Sequence, residues 1–183
     1  CVSALAPPPG AHLGRSSAAS DGYKGQGPHA LSAGHDLITA SRSSGDLHVD
    51  ISDPASLRAL FAKTGRVDAI ISAAGDGVMA PLATMSDDDF NRTVDTQMKG
   101  QLNVLRLGLS AVAPGGSITL TSGVAAQNPM PSTSAIAASC APIAAFTRTA
   151  TTDGETVPPT GVSPILSKER PDLVGLPTEG GAP

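Results

Sequence analysis

The sequence predicts an α/β fold in which a doubly wound parallel sheet carries helices on both faces. Apolar, strand-like runs alternate with amphipathic helical segments from residue 37 to residue 150, an order typical of parallel sheets with right-handed crossovers. The strand-like runs end in small or polar residues, which lets a ligand approach the backbone closely. The predicted strands are residues 37–42, 47–51, 67–72 and 116–122, with the last two as neighbours.

The first half of this region has clear local signals. LITASR (37–42) is a short apolar run that ends in a charge, and DLHVDI (46–51) alternates apolar and polar residues. Asp53 is a good N-cap, Pro54 takes the first helical position, and Gly65 follows the last turn. These signals predict two strands followed by a helix.

The second half continues the alternation. VDAIISAAG (67–75) is an apolar strand that runs into a turn of small residues. Ser86, with Asp89 three residues later, predicts a capping box at the start of a long helix. GSITLTSG (116–123) is the next strand, and residues 134–150 form the last predicted helix.

The composition of the flanks differs from that of the middle. The 183 residues include 20 glycines and 16 prolines, which crowd into the two ends of the chain. We predict one domain over residues 1–183, with residues 1–28 and 151–183 irregular or disordered.

The charge and the apolar content exclude several function classes. A formal net charge of −4 argues against a nucleic-acid surface, which needs clustered lysine and arginine. No apolar run reaches the length of a membrane span. The two cysteines, Cys1 and Cys140, have no metal-ligand spacing, so we predict no metal site. There is no signal-peptide pattern, and we expect a cytoplasmic protein.

Several short motifs follow one another in a characteristic order. They are ALSAGHDLITASR (30–42), VDIS (49–52), ISAAG (71–75), GSITLTSG (116–123) and VSPIL (162–166). Their order and spacing over residues 30–150, with a fragment at 162–167, resemble the short-chain dehydrogenase/reductase family. This resemblance implies a Rossmann-like fold that binds NAD or NADP.

The resemblance implies a set of cofactor-binding residues. Arg42, next to Ser41 at the end of the second strand, can clamp a 2′-phosphate, and no acidic residue stands there for ribose hydroxyls. This favours NADP over NAD. Asp50, with Ile51, matches the adenine contact of the family, although alone it would be read as a solvated strand end. The small residues after residue 72 leave room for a flat ring, and VSPIL resembles the turn near the nicotinamide. The residues so implied are Ser41, Arg42, Asp50, Ile51, Ala73, Ala74, Gly75, Pro164 and Ile165.

The phosphate-binding loop has two candidates. The family places a glycine-rich loop between the first strand and a helix, so that backbone N–H groups meet the pyrophosphate. Gly22, Gly25 and Gly27 stand just before a helical segment, without an apolar strand directly upstream. Gly10 and Gly14 follow a short apolar run, but prolines fill the turn. We favour the first candidate.

The catalytic residues match the family only in part. Ser122 stands at the position of the catalytic serine, and Gln97 replaces the assisting asparagine. The Tyr-x-x-x-Lys pair of the family is absent. In the family the tyrosine donates the proton and the lysine lowers the pKa of that tyrosine. The two positions of the pair are held by Ile136 and Cys140, or by Ala135 and Ser139 if one counts from Ser122.

Three functions therefore stay open. The first is a short-chain dehydrogenase/reductase-like, NADP-dependent oxidoreductase acting on a small carbonyl or alcohol. The second is a non-catalytic dinucleotide-binding or scaffold protein. The third is a chain with non-native or truncated termini and no activity. The resemblance further implies a homodimer or homotetramer, paired through the helices near 90–110 and 134–150, and a small-molecule substrate. The charge and the apolar content argue against nucleic acid and membrane as partners.

Overall fold

The computed structural model describes residues 2–6, 36–128, 130–152 and 159–162. They form a six-stranded sheet with helices packed against it. The strands are β1 (Val2–Ala6), β2 (Asp36–Ser41), β3 (Leu47–His48), β4 (Val67–Ser72), β5 (Val112–Thr121) and β6 (Pro159–Val162). The helices are α1 (Pro54–Thr64), α2 (Asp87–Thr93), a π-helical segment (Val94–Gly100), α3 (Gln101–Gly108) and α4 (Ser134–Thr152), with short 3₁₀ turns at Leu82–Thr84 and Val124–Ala126.

The strand order confirms the predicted centre of the sheet. The order is β3-β2-β1-β4-β5-β6. β4 and β5 are parallel neighbours, with Ile70 opposite Ile118, as the apolar runs at 67–72 and 116–122 predicted. The pairs β2–β3 and β5–β6 are also parallel. The chain is therefore of the doubly wound α/β class.

β1 departs from the all-parallel prediction. It lies at the centre of the sheet but runs antiparallel to both β2 and β4. Val2 stands opposite Ala40 and Ser72, and Ala6 stands opposite Asp36. A five-residue strand of small residues can satisfy its backbone hydrogen bonds in either direction, because both ladders use the same donors and acceptors. Consequently β1 ends at the amino-terminal edge of β2, away from the edge where ligands bind in such sheets.

Several predicted boundaries change. β3 covers only Leu47–His48 of the predicted strand at 47–51. The flanks predicted to be irregular contribute two strands, Val2–Ala6 and Pro159–Val162. In each flank a few residues obtain backbone partners from strands distant in sequence, which composition does not reveal.

The helix starts agree with the capping residues. Asp53 accepts hydrogen bonds from Ala55 N at 2.8 Å and Ser56 N at 3.2 Å. Ser86 Oγ accepts from Asp89 N at 3.1 Å. Each cap satisfies backbone N–H groups that have no partner within the helix.

The main core lies between one face of the sheet and α1, α3 and α4. Its fully buried members include Leu57, Ile70, Leu105, Ile118 and Ile143. The opposite face carries a smaller cluster around Ala69 and Ile71, and no described helix packs there. The described helices therefore cover one face of the sheet.

Candidate functional site

A cavity of about 380 Å³ opens at the carboxyl-terminal ends of β2 and β4, over the first residue of β1. This volume is at the small end of the range of ligand pockets. The lining residues belong to five segments of the chain: the start of β1, the end of β2 with the loop after it, residues 49–51, residues 73–75 and the π-helical segment. They are Val2, Thr39, Ala40, Ser41, Arg42, Ser43, Ser44, Gly45, Val49, Asp50, Ile51, Ala73, Ala74, Gly75 and Thr96.

The described cofactor-binding predictions all fall in this cavity. Seven predicted residues line it, namely Ser41, Arg42, Asp50, Ile51, Ala73, Ala74 and Gly75. Five lie outside the described residues, namely Gly22, Gly25, Gly27, Pro164 and Ile165. The cavity is thus built from the segments that the resemblance assigns to the adenosine half of a dinucleotide.

The loop after β2 is organised by its own side chains. Ser41 Oγ accepts hydrogen bonds from Ser43 N at 3.3 Å and Ser44 N at 2.9 Å. Gly45 has a φ of +99°, and a Cβ there would stand 2.9 Å from the Thr39 carbonyl oxygen, so this turn favours glycine. The Ser41 hydroxyl is used inside the loop, whereas the Arg42 side chain lines the cavity and is 56% exposed.

Asp50 provides a charged acceptor on the wall of the cavity. Its Oδ1 accepts hydrogen bonds from Ser52 Oγ at 2.6 Å and Ser52 N at 2.9 Å. The Ser52 hydroxyl is the main cause that holds the pKa of Asp50 below its ordinary value; partial burial opposes this, while the charges of Arg42 and His48 support it. The carboxylate is therefore charged at neutral pH. Its Oδ2 has no hydrogen-bond partner within the described part of the chain.

Residues 73–76, which follow β4, run close to the π-helical segment and the start of α3. Gly75 has a φ of +156°, and a Cβ there would overlap Gln97 Oε1. The Ala74 carbonyl accepts a hydrogen bond from Gln101 Nε2. Thr96 Oγ1 accepts from Asp76 N at 3.2 Å. The wider π-helical turn lets the consecutive residues Thr96 and Gln97 both meet this segment, and such turns are frequent at functional sites.

Thr96, Thr39 and Gly45 are cavity residues that the motif comparison missed. Thr96 is 7% exposed although it is polar, and the sequence hint was its position next to Gln97. Gly45 lies in the SRSSG run, where a glycine after four polar residues is a turn signal. Neither hint indicates a ligand by itself.

The predicted catalytic residues lie outside the cavity lining. Ser122 is 6% exposed, and its Oγ donates to the Cys140 carbonyl oxygen at 3.0 Å. Gln97 Nε2 donates to Cys140 Sγ at 3.4 Å. The Ser122 hydroxyl thus links the end of β5 to α4, and the Gln97 amide links the π-helical segment to the same helix.

The positions of the missing tyrosine and lysine are packed. A Cβ on Gly77 would stand 2.8 Å from Ile136 Cγ1, and a Cβ on Gly123 would stand 2.9 Å from Cys140 Sγ. Cys140 is a fully buried free thiol. The alternative positions, Ala135 and Ser139, are 2% and 1% exposed. In either alignment, residues 134–146 of α4 contain no lysine or arginine and no aspartate, glutamate or tyrosine.

The described residues contain no group of three or more His, Cys, Asp or Glu side chains that could hold a metal ion. Within the same residues, no helix combines the length and the apolar character needed to cross a membrane.

Comparisons with known proteins agree with the motifs. A family model described as short chain dehydrogenase matches residues 31–162. Tetrahydroxynaphthalene reductase PfmaG of Pestalotiopsis fici is 33% identical over 112 residues, which are 58% of this chain and 40% of that protein. The chain spans less than half the length of the curated relatives it matches, 31% and 40%.

Two solved structures have the same architecture. The protein lin1944 from Listeria innocua is 31% identical, with a TM-score of 0.67 over 80% of this chain and 74% of that one. A small-chain dehydrogenase in complex with NADPH is 27% identical, with a TM-score of 0.60 over 64% of this chain and 57% of that one.

Proposed function

The chain belongs to the short-chain dehydrogenase family, whose members bind NAD or NADP, and we propose that its function is to bind NADP(H) in the cavity between β2 and β4. The observation that carries this proposal is the placement of Arg42, Asp50 and residues 73–75 around one cavity of suitable size. A similar dehydrogenase structure is in complex with NADPH, which supports the same cofactor class.

The residues fit the adenosine half of the cofactor. The guanidinium of Arg42 would hold the 2′-phosphate, since a charged planar donor binds phosphate well. The free Oδ2 of Asp50 would accept a hydrogen bond from the exocyclic amine of adenine. Ala73 and Ala74 are small enough to leave space for the ring beside them. When bound, NADPH would supply the hydride.

The nicotinamide half fits less well. The residues at the family's catalytic positions, Gln97, Ile136 and Cys140, pack against glycines or against each other, and the residues implied beside the nicotinamide, Pro164 and Ile165, lie outside the described residues. The first proposed activity is reduction of a small carbonyl, which a reductase among the relatives supports. Binding without catalysis is the second, and this packing favours it.

Arg42→Ala tests the cofactor assignment. We expect the variant to bind NADP⁺ about 10- to 150-fold more weakly, because a charge-assisted bond is worth about 1.5–3 kcal/mol. Binding of NAD⁺, which lacks the 2′-phosphate, should stay unchanged. Calorimetric titration of both cofactors measures these affinities.

Arg106→Ala is the matched control for that experiment. Arg106 is exposed in the last turn of α3 and bonds Asn103 Oδ1 at 2.9 Å, near the end of the helix that leads to the start of β5. It should bind both cofactors as the unmodified chain does. A preference of the unmodified chain for NAD⁺, or an equal loss in both arginine variants, would refute the NADP assignment.

We also propose that the chain forms a homodimer or homotetramer through α4 and the consecutive helices α2, the π-helical segment and α3. Phe90 on α2 and Phe146 on α4 are 44% and 38% exposed, and exposed aromatic residues are enriched at interfaces. Light scattering should give the mass of two or four copies, and Phe146→Asp should shift it towards one copy. A single copy for the unmodified chain at high concentration would contradict the proposal.

A further inference from the structure

The side chain of Arg42 reaches across the cavity to an acidic residue on the other side. Arg42 Nη2 lies 3.9 Å from Asp76 Oδ2. Arg42 follows β2, and Asp76 follows the segment after β4, while β1 lies between those strands in the sheet. The pair therefore spans the first residue of the central strand β1, where the cavity opens. Gly75, which precedes Asp76, is part of the cavity wall.

Hydrogen bonds to the π-helical segment fix the position of Asp76. Asp76 N donates to Thr96 Oγ1 at 3.2 Å, and Thr96 Oγ1 donates to the Asp76 carbonyl oxygen at 2.6 Å. Thr96 is buried. The same Asp76 Oδ2 also lies 3.9 Å from Arg92 Nε. Because backbone bonds hold Asp76, replacing its side chain should leave the local fold intact.

We propose that Asp76 is a specificity-determining residue that competes with the 2′-phosphate of the cofactor for Arg42. The proposal rests on the proposed function, in which Arg42 binds that phosphate. A 2′-phosphate arriving at the cavity must take the guanidinium away from Asp76 and also approach the Asp76 carboxylate. Asp76 therefore weakens the binding of 2′-phosphorylated ligands and leaves other adenine nucleotides unaffected.

The expected size of this effect is modest. Arg42 and Asp76 side chains are 56% and 41% exposed, and solvent screens ion pairs of this kind. Measured exposed pairs are worth about 0.2–1 kcal/mol, which corresponds to at most about a fivefold change in a dissociation constant. The effect should also shrink as the salt concentration rises.

The experiment compares two probes that differ only in the 2′-phosphate: adenosine 2′,5′-bisphosphate and 5′-AMP. Calorimetry on the full chain measures both for the unmodified protein, Asp76→Asn, Arg42→Ala and the double variant. We expect Asp76→Asn to bind the bisphosphate about two- to fivefold more tightly and 5′-AMP with unchanged affinity. The gain should be absent in the Arg42→Ala background, since the double-mutant cycle isolates the coupling between the two residues.

Asp95→Asn is the matched control. Asp95 carries an exposed carboxylate on the π-helical segment, next to Thr96, and its Oδ1 lies 2.7 Å from Lys99 Nζ. It should leave both affinities unchanged. Asp76→Ala should act in the same direction as Asp76→Asn, because both remove the charge.

The outcomes separate this inference from the proposed function. If Arg42→Ala weakens bisphosphate binding and Asp76→Asn does nothing, the role of Asp76 is overturned and the NADP site stands. A gain that persists in the Arg42→Ala background also overturns it, since it would reflect net charge alone. If only Asp76→Asn binds the bisphosphate, Asp76 acts as proposed and the unmodified chain does not prefer NADP. Absence of binding by every variant overturns both.

Discussion

We expect this chain to reduce ketones and quinones with NADPH at a rate about 10²- to 10⁴-fold below the rate that a positioned proton donor supports. Hydride addition to a carbonyl leaves an alkoxide that must receive a proton. In this family a tyrosine paired with a lysine supplies it. Those positions are held by Ile136 and Cys140, or by Ala135 and Ser139 in the other alignment, and neither pair combines a proton donor with a cation.

The surroundings of Ser122 support the same expectation. Its hydroxyl is directed at the Cys140 carbonyl oxygen at 3.0 Å and is buried. A hydroxyl that bonds a helix carbonyl stabilises the fold and is not available to orient a substrate. Ser122→Ala should therefore lower the free energy of unfolding by about 0.5–1.5 kcal/mol and leave the low rate unchanged.

The measurement is NADPH oxidation over a panel of ketones and quinones. The unmodified chain, Ser122→Ala and the double variant Ile136→Tyr with Cys140→Lys are compared. Robust turnover by the unmodified chain that Ser122→Ala abolishes would show that another donor exists and that Ser122 is catalytic. A gain of turnover in the double variant, absent from each single variant, would indicate a family scaffold that lacks only this pair.

The double variant also has a structural cost. Cys140 is fully buried, with Gly123 packed directly against its sulfur. Introducing a longer side chain into such a packed place costs about 1–3 kcal/mol. The turnover rate of the double variant should therefore be divided by its folded fraction, which thermal unfolding under the assay conditions measures.

The second large effect concerns stability. We expect Leu105→Ala to lower the free energy of unfolding by about 2–5 kcal/mol. Leu105 lies on α3 in the main core and is fully buried. The helix approaches the sheet closely at the next turn, where a Cβ on Gly108 would stand 2.9 Å from Ile70 Cδ1. The neighbours therefore have little freedom to fill the cavity that the substitution leaves.

Leu82→Ala is the matched control, because it deletes the same atoms from a residue that is 65% exposed. It should change the free energy of unfolding by no more than about 0.5 kcal/mol. Chemical denaturation followed by circular dichroism measures both variants. Equal losses in the two variants would contradict the packing of α3 on the sheet.

Several features could be predicted from the sequence because they depend on residues close together in the chain. Asp53 and Ser86 begin their helices by bonding N–H groups two or three residues away. The apolar runs that form β4 and β5 are continuous segments. The absence of a tyrosine and a lysine from residues 134–146 is a property of the sequence itself. The resemblance also selected seven residues that line the cavity, although their roles stay predictions.

Other features depend on contacts between residues far apart in the chain, and only the tertiary structure decided them. The direction of β1 follows from pairing Val2 with Ala40 and Ser72, and no local signal encodes which way a short strand runs. The same holds for Arg42 and Asp76, which lie 34 positions apart and meet across the cavity. Local hydrogen bonds and side-chain periodicity specify elements, whereas strand direction and the partners of each charge are set by how the elements pack.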